Sequence, residues 1–333
     1  MGCGRVAKHH HGPILARISD AQVTAIIDPD PQARKAMVRL HPGSTFYTDL
    51  ARPLALGEFD ALVICAPPAH HAAAAIAGLD AGVHVYVEKP IAMTLDDADR
   101  MIAAATASDR VAMVGHNFRM HPRYRAVRAA LERGDLGALL AVRTLFTSEK
   151  RELPGWKSTP DGGGDAITDL AVHHFDIISY LTDTTIEPGS ITANTIGGAG
   201  GSLAQVNGRL ETGQPVSITV GQITGQNAHR IELLCEAGHL EIDLFGNADP
   251  ILSRPAHRMS RRARLGQRLG MARDALDIRH RPDPSFEAAL RSFVHAASGA
   301  NGQAVNEMPL EIGRRALDLA LRAKAAAATK ETP

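Results

Sequence analysis

Residues 2–7 read Gly2-Cys3-Gly4-Arg5-Val6-Ala7, which fits the pattern G-x-G-x-x-A. Glycine at these spacings lets the backbone turn tightly and approach a pyrophosphate held at a helix N-terminus. Asp28 follows at the end of the apolar run 23–27, where a carboxylate accepts the adenosine ribose hydroxyls and repels a 2′-phosphate. The pattern predicts a dinucleotide site that prefers NAD, with NADP as the alternative. Its predicted contacts are Gly2, Gly4, Arg5, Val6 and Asp28.

The strand that should precede this glycine loop is missing, because only Met1 stands before Gly2. In the usual strand order that strand is central, between the runs 23–27 and 61–65. Its absence would leave two ladders of backbone groups unsatisfied, each group costing about 1–3 kcal/mol if buried. We expect the natural chain to begin several residues upstream. A stop codon immediately before Met1 in the genomic sequence would contradict this expectation.

The rest of residues 1–118 alternates short apolar runs with helical stretches, the pattern of a doubly wound parallel sheet. After residue 120, β-like runs follow one another without helices between them, and two helices close the chain. We therefore predict an α/β Rossmann domain over 1–118. Residues 119–333 are predicted to form an α+β domain with a largely antiparallel sheet, whose terminal helix can pack back on the first domain.

The composition excludes several classes of protein. Lys plus Arg and Asp plus Glu both number 36, so no overall field favours nucleic acid or a membrane surface. The longest apolar runs are far too short to span a bilayer. Three widely spaced cysteines form neither a disulfide framework nor a CxxC metal motif, so we expect no metal site and a reducing, cytoplasmic location.

Two blocks carry residues suited to proton transfer. Glu88-Lys89-Pro90 follows the strand-like run 83–87, and ligands of such sheets bind at the carboxyl ends of strands. A glycine run at 162–164 precedes a helix on which Asp169, His173, Asp176 and Tyr180 form one stripe. A carboxylate one turn from an imidazole raises its basicity, so His173 is a candidate general base. Taken alone, each block is more typical of ion pairs on a protein surface than of a catalytic site.

Together these blocks resemble the glucose–fructose oxidoreductase/inositol dehydrogenase/MocA (Gfo/Idh/MocA) family over nearly the whole chain. The most specific parts are Ala66-Pro67-Pro68-Ala69-His70-His71, the run 82–90 ending in Glu88-Lys89-Pro90, and the glycine run followed by Asp169-x-x-x-His173-x-x-Asp176. Asn117-Phe118-Arg119-Met120-His121-Pro122 also fits. The absent first strand departs from the family pattern.

The resemblance implies a hydride transfer between a nicotinamide and a secondary alcohol or ketone of a sugar, polyol, cyclitol or sugar derivative. Lys89, Asp169 and His173 would be catalytic, with a cis peptide before Pro90. The resemblance also implies that the C-terminal sheet is open and mixed and serves substrate binding and oligomerisation, with homodimers or homotetramers forming through it. Further implied cofactor contacts are Ala66, Pro67, His71 and Glu88. Arg119 is the implied substrate contact. Two alternatives are an NAD-dependent glycoside hydrolase and a non-catalytic regulator that senses cofactor or sugar.

Three features have competing interpretations. Trp156 could stack on a substrate ring, and we include it as a substrate contact, or it could anchor its loop. The arginine-rich segment 254–281 could be an anion-binding flap or a solvated insertion. The run His9-His10-His11 lacks spaced metal ligands and favours structural or surface histidines, while Gly12-Pro13 should kink or break the helix that carries them.

Overall fold

The computed structural model describes residues 1–134, 136–150, 152, 154–159, 162–198, 201–245, 251–253 (backbone only), 283–299 and 305–328. The chain forms two compact units, one of residues 1–120 and 285–317, the other of residues 121–284 and 318–333. The sequence predicts a single boundary at residue 118, which would assign residues 285–317 to the second domain. In the structure residues 285–317 group with the first unit. One reason is that the Val114 N–H donates to the Met308 carbonyl at 2.9 Å.

The first unit contains two parallel sheets. Strand β1 (Ala25–Ile27) pairs with β2 (Thr45–Tyr47), and β3 (Ala61–Ile64), β4 (His84–Val87) and β5 (Ala112–Val114) follow one another in the other sheet. The helices of the unit are α1 (π-helical Ala7–His11 continuing as α-helical Gly12–Leu15), α2 (Pro31–Leu40), α3 (Ala51–Ala55), α4 (His71–Asp80), α5 (Leu95–Ser108) and α8 (Pro284–Ala297). The boundary between the units falls within α9 (Leu310–Ala328).

Local sequence explains where two of these helices begin and end. Thr94 caps α5 by accepting a hydrogen bond from the Asp97 N–H at 3.1 Å, as its capping pattern predicts. Gly82 ends the turn after α4 with φ of +74°, the left-handed conformation that glycine adopts without strain.

Of the expected kink or break at Gly12-Pro13, the break is wrong, because α1 continues through these residues. The Gly12 N–H donates to the Ala7 carbonyl, five residues back, and this wider π-turn runs directly into the α-helical turn that holds Pro13. Ile14 of this helix and Ile18, three residues after its end, pack with Leu290 of α8.

A cavity of about 140 Å³ lies between β1 and β3, where the missing first strand was expected. Met1 and Gly2 join the two sheets at one end of it. The Met1 ammonium donates to the Val63 carbonyl at 2.7 Å, the Cys65 N–H donates to the Met1 carbonyl at 2.8 Å, and the Gly2 N–H donates to the Ile27 carbonyl at 2.8 Å. The remaining lining is largely apolar and comes from residues 21–27 and 59–65, α1 and α8.

The second unit is built on a mixed sheet, whose described strands run in the order β12-β11-β10-β6-β9-β8-β7. Only β6 and β9 pair in parallel; the other neighbours are antiparallel, as expected. The strands are β6 (Leu139–Glu149), β7 (Thr192–Gly198), β8 (Gly201–Arg209), β9 (Pro215–Thr224), β10 (Ala228–Cys235), β11 (Gly238–Asp243) and β12 (Ile251–Ser253). Its other helices are α6 (Pro122–Glu132) and α7 (π-helical Ile167–Ala171 continuing as α-helical Val172–Thr182).

Candidate functional site

The glycine loop of the first unit has the geometry of a dinucleotide cradle. Gly2 has φ of +80°, and a Cβ there would lie 2.4 Å from the Ala66 nitrogen, so only glycine fits. At Gly4 an added Cβ would meet no protein atom within 4 Å, which leaves open space in front of the loop. Arg5 is exposed and Val6 half-buried where the helical turns begin. The loop therefore has room for a pyrophosphate where the pattern predicts one.

Asp28 faces this loop from the end of β1. Its Oδ2 accepts a hydrogen bond from the Cys3 N–H at 2.6 Å, and its Oδ1 accepts one from the Asp30 N–H at 2.8 Å. The structure thus brings Asp28 together with Gly2 and Gly4, as the spacing predicts. An acid at this position beside a glycine loop fits an adenosine ribose.

His71 lies between two segments that the resemblance assigns to cofactor binding. Its Nε2 is 2.8 Å from the Ala66 carbonyl and its Nδ1 is 2.9 Å from the Pro90 carbonyl. Burial lowers the pKa of His71, while the hydrogen bonds to the Ala66 and Pro90 carbonyls oppose this shift. The ring braces the loop that contains Pro67, and direct contact of these residues with a cofactor stays a prediction.

Glu88 forms a buried ion pair that the sequence did not reveal. Its Oε1 is 2.6 Å from Nε2 of His11, and its Oε2 accepts the backbone N–H of Lys89 at 3.1 Å. Burial alone would lower the pKa of His11, but Cys65 and Glu88 outweigh it and raise the pKa to about 10. Burial raises the pKa of Glu88, and the hydrogen bond and charge of His11 reverse that and lower it. A charged pair therefore links the helix after the glycine loop to the strand end that carries Lys89.

Lys89 follows β4 and is half-buried. The Lys89–Pro90 peptide is cis, as the resemblance implies. Arg119 is half-buried in a 3₁₀ turn (Asn117–Met120), with its backbone N–H donating to the His116 carbonyl at 3.2 Å. The substrate role of Arg119 stays a prediction.

In the second unit, Asp169 and His173 lie on α7 across the change from π-helix to α-helix, and both are buried. π-turns inside helices are frequent at functional sites. Asp169 accepts from two side chains: Lys157 Nζ is 2.8 Å from its Oδ1, and Gln222 Nε2 is 2.9 Å from its Oδ2. Neither partner follows from the sequence pattern. The one available signal for Gln222 was an amide within the apolar run of β9.

His174 is a core residue, as its helical position predicts. Its Nδ1 is 2.7 Å from Thr144 Oγ1, and its Nε2 is 3.1 Å from Nε2 of His229. His229 also contacts the Tyr124 hydroxyl at 3.1 Å and stacks on Phe146 with ring centroids 4.3 Å apart. Burial lowers the pKa of His174 to about 3 and that of His229 well below its ordinary value. Both rings are neutral, so neither is suited to proton transfer near pH 7.

Three further candidates from the sequence are Trp156, the arginine-rich segment and the histidine run. Trp156 is 38% exposed, with Lys157 Nζ 5.6 Å from its ring centroid. The arginine-rich segment 254–281 lies outside the described residues. His10 stacks on Phe286 at 4.2 Å.

Two kinds of feature are absent from the described residues. These residues hold no cluster of three or more metal-binding side chains. Within the same residues, no helix combines the length and the apolar character needed to cross a bilayer.

The catalytic residues expected from the sequence are divided between the units. Lys89 belongs to the first unit, and Asp169 and His173 belong to the second. The catalytic roles of these three residues, and their joint action, stay predictions.

Two protein-family models match the chain. The first, described as an oxidoreductase family with an NAD-binding Rossmann fold, matches residues 1–116. The second, the C-terminal domain of the same Gfo/Idh/MocA family, matches residues 124–241. Together they match more than half of the 333 residues.

Curated relatives match over part of their length. An inositol 2-dehydrogenase of Burkholderia multivorans is 30% identical over 183 residues, 54% of this chain and 52% of the relative. A 1,5-anhydro-D-fructose reductase of Ensifer adhaerens is 31% identical over 192 residues, 51% of this chain and 58% of the relative. The chain thus spans about half the length of the curated relatives it matches.

Solved structures match the fold over nearly the whole chain. The WlbA dehydrogenase from Bordetella pertussis, solved with NADH and UDP-GlcNAcA, superposes with a TM-score of 0.82 at 22% identity, covering 99% of this chain and 94% of that one. At this identity the likeness shows the fold alone. With both family models matched in order along the chain, this protein belongs to the Gfo/Idh/MocA oxidoreductase family.

Proposed function

We propose that this protein is an NAD-dependent oxidoreductase that interconverts a secondary alcohol and a ketone on a sugar, polyol, cyclitol or sugar derivative. The observation that carries the proposal is the cofactor cradle, in which Gly2 packs on the Ala66 backbone, Gly4 faces open space and Asp28 closes one side. These residues fit the adenosine half of NAD. Asp28 favours NAD over NADP, because a carboxylate repels a 2′-phosphate.

The bound nicotinamide would supply the acceptor for a hydride from the alcohol carbon. The hydroxyl proton must then leave, and His173 is the proposed base, since an imidazole titrates near neutral pH. Lys89 would hydrogen-bond the alcohol oxygen and share its proton. Asp169 would supply the negative charge that stabilises the protonated form of His173.

A substrate panel tests the proposal. Polyols, aldoses, cyclitols and nucleotide sugars are incubated with NAD or NADP, and formation of the reduced cofactor is followed by absorbance. At least one class should give turnover, with NAD preferred. Glycoside cleavage without net reduction would indicate the hydrolase alternative, and cofactor binding without any turnover would indicate the regulator.

Two single-residue variants test whether His173 and Lys89 take part in the reaction. We expect His173→Ala and Lys89→Ala each to lower kcat by roughly 10²–10⁴-fold, the usual loss for a general acid or base. His295→Ala, on the exposed side of α8, is the matched control and should retain full turnover. Full activity in His173→Ala would remove this residue from the mechanism.

Self-association through the C-terminal sheet is part of the proposal. Its support is the exposure of large apolar side chains on or beside that sheet, including Ile196 at 68%, Phe245 at 53% and Ile223 at 37%. Sedimentation equilibrium should therefore give a dimer or tetramer.

A cytoplasmic location is also proposed, supported by free cysteines at Cys3, Cys65 and Cys235.

A further inference from the structure

The glycine run before α7 is packed against the backbone of a preceding turn. A 3₁₀ turn (Gly155–Ser158) holds Trp156 and Lys157. A Cβ added to Gly162 would lie 1.8 Å from the Trp156 carbonyl oxygen, and one added to Gly164 would lie 2.0 Å from the Lys157 carbonyl oxygen. Neither distance is sterically allowed, so any other residue at these positions would displace the turn. We call Gly162 and Gly164 the glycine seat.

The glycine seat fixes the position from which Lys157 reaches Asp169. The ammonium lies 2.8 Å from Oδ1, and the two side chains are only 20% and 8% exposed. Thr159 Oγ1 donates to the Trp156 carbonyl at 2.9 Å and the Gly162 N–H donates to the Thr159 carbonyl at 3.0 Å, which closes the turn on the seat. The turn, seat and carboxylate therefore form one packed assembly within the second unit.

Gln222 completes the environment of this carboxylate. A carboxylate only accepts hydrogen bonds, so the amide must present its Nε2 to Asp169 Oδ2, at 2.9 Å. Each oxygen of Asp169 thus accepts from one donor: Oδ1 from the charged ammonium of Lys157 and Oδ2 from the neutral amide of Gln222. Because a buried carboxylate is stable only when a counter-charge and hydrogen bonds compensate it, this arrangement favours the ionised form in one orientation.

We propose that Lys157, seated by Gly162 and Gly164, is a positioning residue that acts through Asp169, keeping this carboxylate ionised and oriented during turnover. Asp169 then serves as a fixed negative charge, and the proton is left to His173. The consequence for turnover rests on the proposed function. The ion pair itself does not, and it can be tested without activity.

The first test is a thermal double-mutant cycle with Lys157→Met and Asp169→Asn. In the natural background Asp169→Asn should lower Tm, because it removes the negative charge that faces the Lys157 ammonium. In the Lys157→Met background the same change should raise Tm, because it removes a buried negative charge that has lost the counter-charge of Lys157. Asp169→Asn lowering Tm by the same amount in both backgrounds would overturn the proposal, whether or not any substrate is turned over.

The second test uses the pH dependence of kcat on a substrate found with the panel. Lys157→Met should lower kcat at least tenfold near pH 6 and move the acid limb of the profile by about one pH unit or more to higher pH, with KM for NAD changed less than twofold. Lys157→Arg should restore most of kcat. Lys150→Met, at an exposed position just after β6, is the matched control and should leave the profile unchanged.

Gly164→Ala provides a test that removes no charge. The added Cβ displaces the turn, so this variant should reproduce the shifted acid limb of Lys157→Met. An unshifted acid limb in Lys157→Met would overturn the positioning role. If the panel gives no turnover at all, the proposed function fails while the thermal cycle still decides the ion pair.

Discussion

Extending the chain at Met1 by five apolar residues is expected to fill the cavity between β1 and β3 and to stabilise the first unit. The Met1 ammonium and carbonyl already bond to the backbone of residues 63 and 65, and the Gly2 N–H bonds to Ile27. An added strand would continue this pairing along the lining stretches 21–27 and 59–65. Its side chains would replace empty space by apolar contacts.

The size of the effect follows from the cavity. Filling about 140 Å³ at about 24 cal/mol per Å³ contributes ~3 kcal/mol. We take this ~3 kcal/mol as the expected net stabilisation. In a domain of this size that corresponds to a rise in Tm of roughly 6–12 °C.

The assay is thermal unfolding followed by circular dichroism, with and without NAD. The extension Val-Ile-Val-Ala-Val is compared with Val-Pro-Val-Pro-Val, whose prolines cannot donate ladder hydrogen bonds. The first should raise Tm by the stated amount and the second should not. Equal Tm values for the two extended chains would refute the reasoning, since the gain would not depend on strand pairing.

Glu88→Gln should lower the free energy of unfolding by about 3–5 kcal/mol, because it leaves His11 buried without its counter-charge. The pKa of His11 rises from 6.5 to about 10 on folding, so this stabilisation is complete below pH 6.5 and is lost as the pH rises towards 10; urea unfolding curves of the natural chain and the variant should converge over that range. Gly4→Ala should keep Tm within ~2 °C yet weaken NAD binding at least about tenfold by calorimetry, whereas Gly2→Ala should lower Tm; unchanged affinity in Gly4→Ala would contradict the cradle. Asp28→Ala should reduce the preference for NAD, measured as kcat/KM with NAD divided by kcat/KM with NADP, at least about tenfold. An unchanged preference would show that this carboxylate does not recognise the adenosine ribose.

Much of the fold could be predicted from the sequence because its signals are local. Apolar runs that end at Asp28 and Glu88 mark parallel strands, and the left-handed glycine at Gly82 marks the turn after a helix. The short strand β2 (Thr45–Tyr47) and the strand β8 (Gly201–Arg209) were missed. The first is three residues long and the second carries glycine and polar side chains, so neither has a clear alternation of apolar residues.

The partners within the candidate site could not be predicted because they depend on tertiary contacts. His11 and Glu88 are 77 positions apart, and Gln222 is 53 positions from Asp169. No period or spacing links such pairs. Lys157 is closer in sequence to Asp169, but its approach depends on the packing of Gly162 and Gly164, which the glycine run alone does not reveal.

The stacked histidines His174 and His229 should make the second unit less stable at low pH. The pKa of His174 falls to about 3 on folding and that of His229 falls well below its ordinary value, so stability is lost as the pH falls below about 6.5. The first unit combines both sensitivities, because the lowered pKa of His71 removes stability as the pH falls and the raised pKa of His11 removes it as the pH rises. Acid should therefore destabilise both units, whereas a rise from pH 6.5 towards 10 should remove the contribution of His11, which belongs to the first unit.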